Sequence, residues 1–134
     1  DSRVIKLNND IWEIPIILTN NSSAVARDTE VFIEIENDYD CESISSEFLR
    51  DCSDVNPGKK MFTSQVNGVM HRGFNRIVGK LIIKMKVAKR PKRTIKLRIN
   101  IHTDKMRAIS ESIIVGLSKL GGVSVKKSEQ NYLY

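Results

Sequence analysis

Aromatic residues are scarce in this chain of 134 residues: one Trp, three Tyr and four Phe amount to 6%. Proteins that hold single-stranded nucleic acid stack its bases on such rings, so a stacking platform fits this composition poorly. Only two cysteines occur, Cys41 and Cys52, too few for a disulfide framework. At this length a folded chain buries roughly two thirds of the surface it exposes when unfolded, so it needs no such framework. The pair reads as thiols in a reducing compartment, which points to the cytoplasm, with an extracytoplasmic site as the alternative. Long apolar runs are missing too. The longest, Ile113-Ile114-Val115-Gly116-Leu117, is a strand's worth, far short of the roughly 18 residues of a membrane span. The chain begins at Asp1 with no basic-then-apolar leader, and so reads as a processed form or a piece of a longer parent.

The signatures of chemistry are absent in the same way. Asp38, Asp40 and Glu42 alternate like the start of a calcium loop, but Ser43 stands where that loop needs Gly and Leu49 where it needs a bidentate Glu. Cys41, Cys52, His71 and His102 show none of the short spacings that pre-organise a zinc site. No serine sits in a G-x-S-x-G elbow. Gly79-Lys80 lacks both the upstream glycine and the following hydroxyl of a phosphate-binding loop. The expectation is a protein that is not an enzyme, with no catalytic residues, no metal and no cofactor.

What is present is strong alternation with charge on one side. In Lys80 to Val87 the odd positions are apolar and Lys80, Lys84 and Lys86 are even; in Thr94 to His102, Ile95, Leu97, Ile99 and Ile101 share one side. Period 2 is the mark of half-buried antiparallel strands. Between them Ala88-Lys89-Arg90-Pro91-Lys92-Arg93 carries a proline, which suits a turn. The reading is a β-hairpin, 80–102, with one apolar and one cationic face. Its candidate anion- or partner-binding residues are Lys84, Lys86, Lys89, Arg90, Lys92, Arg93, Lys96 and Arg98.

Net charge is +6, but the charges are segregated. Residues 28–54 hold ten acids against one base, Arg50, and residues 80–107 hold eleven bases against one acid, Asp104. Two layouts account for this. The blocks can lie on neighbouring strands and neutralise each other, or they can form separate patches, one of which recruits an anionic partner. In the usual sandwich order the early strand and the late hairpin belong to different sheets, so most of the basic stripe is expected to lack carboxylate partners.

Taken in order, Trp12, Ile14, Ile16 and Leu18 alternate as a strand in which Pro15 argues for an edge or a bulge. Asn20-Asn21-Ser22-Ser23 is a turn, and Val31, Ile33 and Ile35 are the inward phase of the next strand, with Glu30, Glu34 and Glu36 outward. From Asn20 to Ile35, this turn, the Ala26-x-Asp28 step and the alternating strand resemble the first hairpin of immunoglobulin-like domains of the CARDB and fibronectin type III-like kind. The resemblance implies a sandwich with Ala26 tucked inward, and implies no activity. The connection 43–50 can hold a short helix capped by Ser43 with Ile44, Phe48 and Leu49 inward. Asn67-Gly68 signals a two-residue hairpin. Residues 109–117 fit a strand better than a helix, given their β-branched content.

The fold class expected is therefore all-β: an immunoglobulin-like antiparallel β-sandwich of about seven strands over residues 1–120, with 121–134 as a C-terminal extension. Its core should include Ile14, Ile16, Val31, Ile33, Leu81, Ile83, Leu97 and Ile99. The function expected is a non-enzymatic interaction or spacer module that binds a protein partner or the rest of its parent chain. The alternative is an accessory nucleic-acid-binding domain that uses the basic hairpin.

Overall fold

The computed structural model describes residues 4–8, 10–37, 40–53, 59–87, 92–118 and 121–133. Over these the chain forms β1 (Ile5–Lys6), β2 (Ile11–Thr19), β3 (Ala26–Asn37), β4 (Cys41–Glu47), β5 (Arg50–Asp51), β6 (Lys60–Met70), β7 (Asn75–Met85), β8 (Lys92–His102), β9 (Ile109–Ser118), β10 (Val123–Lys127) and β11 (Asn131–Tyr132). One sheet has the order β1-β2-β7-β4; the other has β10-β9-β8-β3-β6-β5, with β11 also paired to β9. All pairings are antiparallel. The chain changes sheet between β2 and β3, β3 and β4, β4 and β5, β6 and β7, and β7 and β8. The result is an all-β sandwich compatible with an immunoglobulin-like domain.

The apolar phase of each strand explains why the sheets face each other. Trp12, Ile14, Ile16 and Leu18 on β2 and Leu81, Ile83 and Met85 on β7 are buried in one cluster with Val31, Ile33, Phe62, Ile95, Leu97 and Val115 of the opposite sheet. Burial of such a side chain contributes about 1.5–3 kcal/mol, and two β-sheets with one greasy face each can gain it only by closing on one another. All eight expected core positions are buried, none more than 8% exposed. Ala26 is buried, as the resemblance implied. β1 pairs with Trp12 and Glu13 of β2, and beside Pro15 the pairing of β2 with β7 shifts register between Ile16 and Ile17. Cys41 and Cys52 are thiols, the first half-buried on β4 and the second buried beyond β5. The segment after Gly121 adds β10 and β11 to the β9 edge.

Four expectations are corrected. First, β7 and β8 do not form a hairpin: they lie in opposite sheets, and the basic link between them carries the chain across the sandwich. Second, β2 and β3, the segment likened to a first hairpin, also cross between sheets rather than pair. Third, residues 43–50 hold no helix. They form most of β4, a turn and the start of β5, and Ser43 and Ser45 alternate with half-buried Ile44 as a strand edge does. Fourth, Asn67-Gly68 is internal to β6. Arg27 pairs with Val69 and Thr29 with Val66, so two residues of β6 oppose Asp28 in a β-bulge. Gly68 takes φ 89° and Asp28 φ 47°, and the Gly68 N–H donates to Asp28 Oδ1 at 3.3 Å. The glycine that favours a tight turn serves a bulge equally well.

Candidate functional site

The eight basic candidates do not make one surface. Lys84 projects from the outer face of β7, while Lys96 and Arg98 project from the outer face of β8 in the other sheet. Lys86 is exposed just past β7. Lys89 and Arg90 lie outside the described residues, as does the side chain of Lys92, the first residue of β8.

Carboxylates meet most of the rest, contrary to the expectation of an unpartnered stripe. β3 is the direct neighbour of β8, with Glu34 opposite Arg98 in register. Glu36 takes a hydrogen bond from Arg98 Nε and lies 3.4 Å from Lys96 Nζ. Lys84 is 3.6 Å from Glu42, Lys80 3.3 Å from Glu13, and Lys59 2.7 Å from Glu34. The Arg98 hydrogen bond, with Lys96 behind it, holds the Glu36 carboxyl below the usual glutamate value, and Glu36 raises Arg98 in return. Three of these pairs join residues 28–42 to residues 80–98. The neutralising layout of the two charge blocks is the one realised, because β8 pairs with the acidic strand and not with β7.

Arg93 departs furthest from the expected role. It shares the parity of Ile95, Leu97 and Ile99, and its side chain points inward, 1% exposed. Its Nη1 donates to Asp10 Oδ1 at 3.2 Å and to the Lys86 carbonyl at 2.9 Å, while Nε and Nη2 have no hydrogen-bond partner among the described residues. Main-chain bonds from Met85 to Asp10 and from Lys86 to Asp40 bring β2, β7 and β4 together at the same end. The guanidinium therefore ties the crossing after β7 to the start of β2 and presents nothing to a ligand in solvent.

Other candidates are scattered. Cys41 lies on β4, Cys52 just past β5, His71 just past β6 and His102 at the end of β8, and among the described residues no three His, Cys, Asp or Glu converge as a metal site. His102 packs edge-on against Phe32, 5.5 Å between ring centroids.

The surface instead displays apolar side chains. Phe48 is 83% exposed and Phe74 60%. Ile17 and Ile77 are direct cross-strand partners on the outer face of the four-stranded sheet, where both are exposed. Sequence reading placed Phe48 inward beside Leu49. Only Leu49 goes in, because Phe48 takes φ 65° and reverses the inward phase at that point. The period of a short strand cannot announce such a reversal. Set against known proteins, the chain matches no family model, no curated protein and no solved structure.

Proposed function

We propose that this chain is a non-catalytic immunoglobulin-like module, of the CARDB and fibronectin type III-like kind, that binds a protein partner or another part of its parent protein. The observation that carries the binding role is the exposure of two of the four phenylalanines, Phe48 and Phe74, in a chain otherwise poor in aromatic residues. Large apolar side chains held in water add nothing to the fold of a monomer, and they are the type enriched at the centres of protein interfaces. The fold-level part is supported by the two facing antiparallel sheets and by the buried Ala26 after the Asn20 turn. The nucleic-acid alternative loses its support with the pairing of Lys84, Lys96 and Arg98 to carboxylates and the burial of Arg93.

Anisotropy titration of labelled single- and double-stranded oligonucleotides at low and moderate salt tests the reading. A protein-binding module gives weak or no saturable binding at either salt. Tight binding that falls steeply with salt overturns the proposal in favour of the nucleic-acid role.

A further inference from the structure

β5 is two residues long, and its shortness leaves a rung of β6 open. Arg50 pairs with Thr63 and Asp51 with Phe62. The Cys52 N–H donates to the Met61 carbonyl at 2.9 Å, and the Met61 N–H to Ser53 Oγ at 3.0 Å, so Met61 turns both main-chain groups toward β5. Alternation along a strand turns Thr63 and then Gln65 the same way. Opposite Gln65 the chain has already left the sheet, since Phe48 breaks the extended course with its left-handed backbone.

A hollow of about 300 Å³ stands in the place of that missing rung, lined by Glu30, Phe48, Arg50, Thr63, Ser64 and Gln65. Phe48 is held at its rim by its neighbours rather than by contacts of its own. Leu49 is buried, Ser46 Oγ donates to the Leu49 carbonyl at 3.1 Å, and Lys60 clamps Asp51 at 2.8 Å. A left-handed non-glycine residue is costly, and an aromatic ring fixed that way in water signals use by something outside the fold. Among the described residues neither Arg50 nor Glu30 is in an ion pair. Proline, which hinders strand addition, is absent from residues 64–66 of β6, where Gln65 turns its main chain outward.

We propose that this hollow docks an extended segment of a partner protein, which forms main-chain bonds at Gln65, lays an apolar side chain on Phe48 and sets an acidic side chain against Arg50. Phe48 and Arg50 line the hollow together with Gln65, so the segment needs an apolar and an acidic residue within reach of both. The proposal rests on the protein-binding reading above and adds the place and the chemistry of the partner.

The test uses random twelve-residue peptides displayed on phage, selected on the whole chain, and the winners synthesised and titrated against wild type, Phe48→Gly and Arg50→Glu. Winners should share an apolar and an acidic residue and bind both variants at least about tenfold more weakly. They should also slow amide exchange at Gln65. Glycine accepts the left-handed backbone freely, so Phe48→Gly should melt at the same temperature or higher, which separates lost binding from lost folding. Equal affinity for Phe48→Gly, or no selected peptide at all, overturns the site. A concentration-dependent dimer abolished by Phe48→Gly also overturns it, making a second copy the occupant. Winners that perturb Ile17 and Ile77 instead overturn this site while the protein-binding reading stands; that reading fails only by the oligonucleotide titration.

Discussion

Leu49 occupies the space that a side chain on Gly79 would need: a Cβ at Gly79 would stand 2.5 Å from Leu49 Cδ2 and 2.9 Å from the Glu47 carbonyl. β7 bulges just before this point, where Ile16 pairs with Gly79 and Ile17 with Ile77, and the bare backbone receives the plug that anchors the β4–β5 turn. Gly79→Ala should therefore destabilise the domain by about 1–3 kcal/mol through overpacking. Urea unfolding measures it, and the double variant Gly79→Ala with Leu49→Ala should lose less than the sum of the two single losses. An additive double variant would mean that the two sites do not share one space.

The Asp10–Arg93 pair is unequal, with the guanidinium fully buried and Asp10 30% exposed. Removal of the acid strands a buried cation, whereas removal of the base leaves a carboxylate that water can reach. Asp10→Ala should cost about 3 kcal/mol or more, and Arg93→Met about 1 kcal/mol or less, because Arg93 already leaves Nε and Nη2 unsatisfied. Denaturant midpoints of the two variants decide this, and equal losses would contradict the asymmetry.

Glu36 ties β3 to β8 at the surface. Its folded-state carboxyl titrates below the unfolded value because Arg98 and Lys96 favour the charged form. A depressed acid contributes stability that is fully present above its unfolded pKa and is lost as pH falls through the folded one. The pair is partly exposed, so the contribution is under about 1 kcal/mol and is screened by salt. Stability curves of wild type and Glu36→Gln should stay apart above about pH 5 and converge in stronger acid.

Much of this layout is legible from residue order, and the limit has a physical origin. Alternation tells which side of a strand is buried, so Leu81, Ile83, Leu97 and Ile99 were correctly placed in the core, and even the burial of Arg93 follows from its parity with Ile95. Parity is silent on which strand pairs with which. A basic, proline-bearing link joins two strands equally well as a tight turn within one sheet or as a crossing between two, and here it crosses. Asn67-Gly68 shows the same degeneracy, since a positive φ serves a turn or a bulge. Helical spacing from Ile44 puts Phe48 inward, but the segment is extended, and the left-handed backbone at residue 48 leaves that side chain outside and turns Leu49 in.

The pairing of β8 with β3 decides whether this chain has a cationic face at all, and cross-strand nuclear Overhauser effects between main-chain protons test it directly. Contacts should join Ile33 to Ile99 and Glu34 to Arg98, with none from β8 to β7. Main-chain contacts joining β8 to β7 would restore the basic hairpin and contradict the account.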